Sequence, residues 1–135
     1  MQLLMSSMVK SIFIKGKVQK GHGIGKGMGF PTLNIAYEGS VRGIFAGRVF
    51  VLGKPYKAAV HVGSRPTFND GGVSCEGYLL DFDIGGNNDF VGEPVEFELL
   101  EKIRDVKKFD NFDELKSQMC LDVEFVKNWY NLEKK

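Results

Sequence analysis

Two oxygen-bearing side chains, Thr32 and Asn34, stand two residues apart at the end of the stretch GKGMGFPTLN. Pro31 fixes its own φ angle and drives Phe30 into an extended conformation, in which residues i and i+2 point to the same side. A hydroxyl and an amide oxygen are neutral, hard ligands that Mg²⁺ accepts when phosphates supply most of the charge. The pair is therefore a candidate metal site. The alternative is an ordinary hydrogen-bonding pair at the start of a strand.

The segment before this pair is suited to binding an anion. Glycine occupies every second position from Gly21 to Gly29, and Lys26 places a cation among them. Because glycine reaches positive φ without penalty, such a loop can turn its N–H groups toward phosphate oxygens. The spacing matches neither the Walker A nor the dinucleotide-binding pattern. Phosphate binding by Gly21, Gly23, Lys26 and Gly29 is one interpretation, and a flexible surface loop is the other.

A carboxylate leads the apolar stretch CEGYLLDFD. On a strand, Glu76 would share one face with Tyr78, Leu80 and Phe82, and we expect these three large side chains to line the interior. Burial would raise the pKa of the Glu76 carboxyl, as a general base requires. The alternative is an exposed carboxylate at the frayed start of a strand.

Extended segments must position these side chains, because β-branched and aromatic runs bounded by turn residues dominate the chain. In one of them Phe45, Gly47, Val49 and Val51 would share a face. The predicted strands are residues 11–18, 32–36, 45–53, 56–63, 74–83 and 94–103.

The last segment changes to a helical period, with Asn111 as a candidate N-cap and Glu114 three residues later, as in a capping box. The length should be roughly 18–20 residues. Strands followed by one helix predict a mainly β fold, a small antiparallel barrel with the helix packed outside. The apolar stripe of the helix comprises Phe112, Leu115, Met119, Val126 and Trp129.

Length and composition limit the possible classes of protein. The 135 residues fit one domain, which we assign to residues 11–135, with residues 1–10 as an N-terminal extension or linker remnant. A net charge of +1 argues against nucleic-acid binding, and no apolar run approaches the roughly 20 residues of a membrane span.

Cys75 and Cys120 form no CxxC motif, which favours a reduced, cytoplasmic setting. His22 and His61 lack metal-ligand spacing and are expected to be surface or packing residues.

Five segments, in this order and spacing, resemble the riboflavin kinase (flavokinase) family: GKGMGFPTLNI, GIFAGRV, VGSRPTF, CEGYLLDFD and FDELKSQM. The resemblance extends from about Phe13 to Trp129. It implies a six-stranded antiparallel Greek-key barrel with a C-terminal α-helix. It also implies ATP-dependent phosphorylation of riboflavin at the ribityl 5′-hydroxyl, which gives FMN and ADP.

The resemblance also assigns roles on the ATP side. Lys26 matches the basic residue of the family's phosphate loop, and Thr32 and Asn34 match the pair that binds Mg²⁺ with the ATP phosphates. Glu76 matches the catalytic base. Mn²⁺ and Zn²⁺ are the alternatives to Mg²⁺.

On the flavin and adenine sides, Arg104 matches the arginine of a flexible loop that closes on the flavin ring. The backbone from Gly63 to Phe68, with Arg65, would form part of the adenine-side pocket. The chain departs from the family at Tyr78, where a histidine is usual two residues after the glutamate. Without the resemblance, the charges of KIRDVKK would indicate only a solvated face.

The resemblance leaves partners and two other classes of protein to consider. In bacteria this module commonly follows a nucleotidyltransferase domain that makes FAD, and that domain is missing from this chain. We expect a monomer. A flavin-binding barrel without kinase activity would keep Arg104 but need no metal pair. An oligonucleotide-binding barrel would need exposed aromatic residues among basic ones, of which FVLGKPYK is a faint version.

Overall fold

The computed structural model describes residues 11–19, 31–64, 72–80 and 90–133, and these contain the six predicted strands and the C-terminal helix. The helix is slightly longer than expected, at 22 residues. The elements are β1 (Ile12–Lys17), β2 (Thr32–Ala36), β3 (Gly43–Val51), β4 (Lys54–Ser64), β5 (Val73–Leu79), β6 (Pro94–Arg104) and α1 (Phe112–Glu133).

The strands form one antiparallel sheet in the order β1-β6-β3-β4-β5-β2. Strands β3, β4 and β5 follow one another, and β6 returns to lie beside β3, which is the Greek-key arrangement. The sheet curls until its two edges touch just after β1. There the Gln19 N–H donates to the Asn34 carbonyl at 2.8 Å. The predicted six-stranded Greek-key barrel is thus confirmed as a curled sheet whose edges meet at this bridge.

The interior of the curled sheet is apolar. Phe45, Val49 and Val51 lie in it, as the alternation in β3 predicted. On β5 the interior positions belong to Cys75, Gly77 and Leu79. A Cβ atom at Gly77 would lie 2.8 Å from Val49 Cγ2, so glycine is required where the opposite walls of the curled sheet approach each other.

The expected inward direction of Tyr78 and Leu80 is therefore wrong. Tyr78 is buried on the outer face of the sheet, beneath α1, and Leu80 packs against the same outer cluster. Apolar residues occur on both faces of β5, so alternation could not show which face is interior. The third expected residue, Phe82, lies outside the described residues.

Helix α1 covers this outer face. Leu115, Met119 and Val126 pack there against Tyr78 and two alanines of β3 and β4, whose small side chains allow a close approach. Of the predicted stripe, Phe112 is instead 42% exposed, and Trp129 packs at the edge of the cluster.

Both ends of α1 are held in place. The Asn111 Oδ1 atom accepts from the Glu114 N–H at 2.9 Å, which confirms the predicted N-cap. The Glu114 carboxylate reaches back to the N–H of Asp110 at 3.3 Å, one residue before the position in a standard capping box. Near the other end, the Tyr130 hydroxyl donates to the Gly47 carbonyl of β3. The first two bonds cap the start of α1, and the Tyr130 bond joins its other end to the sheet.

A partly buried ion pair joins β3 to β6. The Arg48 Nε–H donates to Glu98 Oε1 at 2.9 Å, and Glu98 is 7% exposed. Glu98 lies six residues before Arg104 on β6, which corresponds to about 20 Å along a strand.

Candidate active site

Strand register alone brings three predicted site residues into one row across the outer face of the sheet. Asn34 of β2 pairs with Glu76 of β5, Glu76 with His61 of β4, His61 with Ile44 of β3, and Ile44 with Arg104 of β6. Directly opposite residues in antiparallel strands point to the same face, with Cβ atoms about 4.5–5.5 Å apart. The pairing therefore places Asn34 beside Glu76, with Arg104 at the far end of the row.

An irregularity in β6 is responsible for the place of Arg104 in this row. Phe45 pairs with Lys102, so continuous pairing would put Ile103 opposite Ile44. The register shift between Ile44 and Phe45 puts Arg104 there instead. Bulges of this kind redirect side chains and occur often beside active sites. Arg104 is thus the last residue of β6, whereas the resemblance places it on a flexible loop.

Asn34 has an unused buried acceptor. Asn34 is 3% exposed, and its Nδ2 donates to the Gln19 carbonyl at 3.1 Å. The Oδ1 atom of the same amide has no hydrogen-bond partner among the described residues. An unsatisfied buried acceptor costs about 1–3 kcal/mol, so this oxygen is well suited to a ligand. The bond to Gln19 fixes the orientation of the amide and leaves its oxygen for that ligand.

The donor set fits a hard cation bound together with phosphates. Thr32 and Asn34 lie on the same face of β2, as predicted, and both offer neutral oxygens. Within the described ranges, no group of three or more His, Cys, Asp or Glu side chains could hold a metal ion. A metal at this pair would therefore depend on phosphate oxygens for its charge balance.

Glu76 is half-buried between this pair and the centre of the sheet. The Tyr78 hydroxyl donates to Glu76 Oε2 at 3.4 Å, a long hydrogen bond. Burial, and then the nearby negative charge of Glu76, raise the pKa of Tyr78 well above its ordinary value. The phenol therefore stays protonated and remains a hydrogen-bond donor to the carboxylate.

His61 occupies the centre of the row and is 1% exposed. Burial, and then the positive charge of Arg104, lower the pKa of His61 from 6.5 to about 4, so the imidazole is neutral at pH 7. Neither ring nitrogen has a hydrogen-bond partner in the described part of the chain. His61 was expected to be either a surface residue or a packing residue, and the structure shows that it is buried. The sequence analysis did not predict that His61 lies beside Glu76.

Arg104 is held by a buried carboxylate of α1. Its Nε and Nη2 donate to the two oxygens of Asp122 at 2.8 and 2.6 Å, and its Nη1 donates to the Asp105 carbonyl at 2.9 Å. Asp122 is 3% exposed and also accepts from Gln118 Nε2 at 3.1 Å. Sequence reasoning missed Asp122. Its signal was a charged residue within the apolar stripe, three residues after Met119 and four before Val126.

A cavity of about 160 Å³ opens beside this ion pair, between the end of β6 and α1. A second cavity of about 400 Å³ adjoins it and shares the walls formed by Gln118 and Leu121. Leu121 and Phe125 are 64% and 51% exposed, so the groove has apolar walls with charged groups at one end. The first cavity is lined by Ile103, Arg104, Gln118, Leu121, Asp122 and Phe125.

The remaining predicted site residues divide into one described residue and six outside the described residues. Gly63 lies in β4, where an added Cβ would be 2.9 Å from Val106 Cγ2, so the backbone closely approaches the segment after β6. The predictions that fall outside the described residues are Gly21, Gly23, Lys26, Gly29, Arg65 and Phe68.

Comparison with known proteins establishes the family of this chain. Residues 8–130 match the sequence model of the family described as "Flavokinase: Riboflavin kinase". The bifunctional riboflavin kinase/FMN adenylyltransferase of Haemophilus influenzae is 35% identical over an alignment of 135 positions, which covers 97% of this chain and 42% of that protein. The chain belongs to the riboflavin kinase family, and it spans about two fifths of the length of such bifunctional relatives.

Two solved structures share the fold. A riboflavin kinase from Trypanosoma brucei superposes with a TM-score of 0.57 at 25% identity, over 92% of this chain and 82% of that one. A protein from Streptococcus pneumoniae described as a macrolide-efflux protein superposes with a TM-score of 0.70 at 31% identity, over 88% and 39% of the two chains. Among the described residues, no helix is both long enough and apolar enough to cross a membrane.

The buried, neutral His61 predicts a pH dependence of stability. The unfolded chain takes up a proton at His61 near pH 6.5, whereas the folded protein does so only near pH 4. Folding stability should therefore fall by up to about 3 kcal/mol as the pH drops from above 6.5 to about 4. A His61→Gln variant should lose less stability over this range. Thermal melts of both proteins across the range provide the measurement, and an identical pH slope would contradict the assignment.

Proposed function

We propose that this chain transfers the γ-phosphoryl group of ATP to the ribityl 5′-hydroxyl of riboflavin, giving FMN and ADP. One observation carries the proposal beyond family membership. The buried amide oxygen of Asn34, which has no hydrogen-bond partner among the described residues, belongs to the residue that pairs with Glu76 across the sheet. A metal ligand and a proton acceptor on neighbouring strands are the two groups that phosphoryl transfer to a hydroxyl requires from a protein.

Thr32 and Asn34 would hold Mg²⁺ together with the ATP phosphates. When bound, the ion supplies the positive charge that neutralises the phosphate oxygens as the phosphoryl group moves. The contribution of the chain is rigidity, because Asn34 is fixed to Gln19 through both its side chain and its backbone. Gly21, Gly23, Lys26 and Gly29 would complete the phosphate site. The alternatives Mn²⁺ and Zn²⁺ can be distinguished by metal titration.

Glu76 would act as the general base. A bond forms between the 5′-oxygen of riboflavin and the γ-phosphorus, the bond from that phosphorus to the β–γ bridging oxygen breaks, and ADP leaves. The hydroxyl proton goes to the Glu76 carboxylate, whose Oε2 is oriented by the Tyr78 hydroxyl. A positioned base of this kind contributes about 10²–10⁴-fold to the rate.

The groove between β6 and α1 would receive the flavin ring. Its exposed apolar walls, Leu121 and Phe125, suit a planar aromatic system, and Arg104 offers charged donors at its end. From Glu76 to Arg104 the row crosses three strand spacings, about 14 Å. That distance suits a tricyclic ring in the groove with a five-carbon chain reaching back to Glu76. Gly63, Arg65 and Phe68 would lie on the adenine side.

A flavin-binding barrel without kinase activity is the second candidate. It would use the groove but would not need a metal ligand at the buried Asn34 oxygen, so the kinase is favoured.

The relatives are named as riboflavin kinase/FMN adenylyltransferases, and the adenylyltransferase activity would reside outside this chain. We place the enzyme in the cytoplasm, where thiols stay reduced, and its two cysteines, Cys75 and Cys120, are free. We also propose that it is a monomer. Light scattering would test the monomer.

The role of Glu76 is tested by Glu76→Gln, which keeps the size of the side chain but cannot take up the proton. We expect kcat to fall by roughly 10²-fold, with little change in the affinity for riboflavin or ATP. Glu96→Gln is the matched control, because Glu96 is a strand carboxylate paired with the exposed Lys15. Wild-type kcat in a folded Glu76→Gln protein would remove Glu76 as the base.

The role of Asn34 is tested by Asn34→Ala, which removes the candidate metal ligand. Turnover at a fixed Mg²⁺ concentration should fall by at least about 10-fold, and the Mg²⁺ concentration for half-maximal rate should rise, because the phosphates lose their positioning. Loss of the bond to Gln19 should cost only about 1 kcal/mol of stability. Asn128→Ala, at an exposed position of α1, is the control. An unchanged Mg²⁺ requirement would exclude Asn34 as a ligand.

A further inference from the structure

Asp122 is a buried carboxylate that the proposed reaction does not use. It lies on the face of α1 that packs on the sheet, and it is 3% exposed. Its Oδ1 accepts from Arg104 Nε at 2.8 Å and from Gln118 Nε2 at 3.1 Å, and its Oδ2 accepts from Arg104 Nη2 at 2.6 Å. These three bonds fix the orientation of the carboxylate.

Stability alone is a poor explanation for this ion pair. Removing two charges from water carries a desolvation penalty that often cancels their attraction, so an apolar pair of similar volume would serve a core equally well. The neighbours of Asp122 on this face of α1, Met119, Val123 and Val126, are apolar. Asp122 therefore interrupts an apolar stripe at the one place where that stripe meets Arg104.

The bidentate geometry determines where the guanidinium points. A guanidinium carries five N–H donors in a rigid plane. In this structure Asp122 binds two of them, the Asp105 carbonyl binds a third, and Arg104 still lines the cavity between β6 and α1. The other two donors have no partner among the described residues and could serve a ligand, and a planar fork held by Asp122 and Asp105 cannot rotate away from the cavity.

The neutral state of His61 supports this arrangement. His61 lies two strands from Arg104 in the same row and is close enough for the charges of Arg104 and Asp122 to influence it. Because the imidazole is uncharged at pH 7, it does not compete with the guanidinium for the Asp122 carboxylate. The negative charge of the Asp122 carboxylate therefore attracts the Arg104 guanidinium and not the His61 ring.

We propose that Asp122 is a positioning residue for flavin binding, which acts by holding the Arg104 guanidinium at the wall of the cavity. The proposal rests on the proposed function, in which that cavity receives the flavin ring. Asp122 itself need not touch the ligand. Its effect on riboflavin affinity should therefore pass entirely through Arg104.

The test is a double-mutant cycle on riboflavin affinity, measured by calorimetry with MgADP present. Arg104→Ala should weaken riboflavin binding by on the order of 10-fold, the usual effect of a lost charge-assisted hydrogen bond. Asp122→Asn should weaken it to a similar extent. The double variant should bind no more weakly than Arg104→Ala alone, because the two residues act as one unit. The affinity for MgADP should not change in any of them.

The chain offers a matched control in a second, partly buried ion pair. Glu98 lies on β6, the strand that also carries Arg104, about 20 Å away along it. Glu98→Gln removes the charge that pairs with Arg48 of β3. This variant should lower the melting temperature but leave the riboflavin affinity at the wild-type value. A general loss of rigidity would instead weaken binding in both Glu98→Gln and Asp122→Asn.

Each result has one meaning. A folded Asp122→Asn protein with wild-type affinity, beside a weakened Arg104→Ala, would overturn the role of Asp122 and leave the proposed function intact. Additive losses in the double variant would do the same. Wild-type affinity in Arg104→Ala would overturn the flavin role of Arg104 and this inference with it.

If Asp122→Asn does not fold, Arg104→Lys replaces it in the measurement, since lysine keeps the positive charge but loses the forked guanidinium. Riboflavin binding as weak as in Arg104→Ala supports the inference, and wild-type affinity overturns it.

Discussion

The antiparallel register of five strands is the constraint on which the candidate site depends. Asn34, Glu76, His61 and Arg104 are far apart in sequence and become neighbours only because each pairs, directly or through Ile44, with the next across the sheet. Side chains alternate between faces, so a slip of one residue in any pair would move a site residue into the apolar interior. The apolar residues of the interior therefore also hold the polar row on the outer face.

Burial of polar groups is the second physical feature of the site. Asn34, His61 and Asp122 are each no more than 3% exposed, yet only Asp122 has its acceptors satisfied within the described residues. Unsatisfied buried groups lower stability, and proteins retain them chiefly where function requires them. Helix α1 brings Asp122 to the row and one wall to the groove. The same packing that buries Met119 and Val126 thus forms the groove that we propose for the flavin ring.

Much of the fold could be predicted from the sequence. Six strands and a capped terminal helix followed from alternation, turn residues and Asn111, because these signals are local. The direction of Tyr78 was wrong because β5 has apolar residues on both faces and the deciding fact, Gly77 packed against Val49, is a tertiary contact. The resemblance identified Glu76, Asn34 and Arg104. Only the structure shows them in one row, since that needs both the strand order and a bulge in β6. Asp122 and His61 were missed because their partners lie on other elements. The one local signal, the interruption of the apolar stripe at Asp122, does not show that this side chain pairs with Arg104.

The central claim is that this row transfers a phosphoryl group from ATP to riboflavin. The most direct measurement incubates the protein with riboflavin, ATP and Mg²⁺ and quantifies FMN and ADP by chromatography. We expect equal molar amounts of FMN and ADP, and no ADP above background when riboflavin is left out. Formation of ADP without FMN, or no FMN at all from folded protein that binds both ligands, would contradict it.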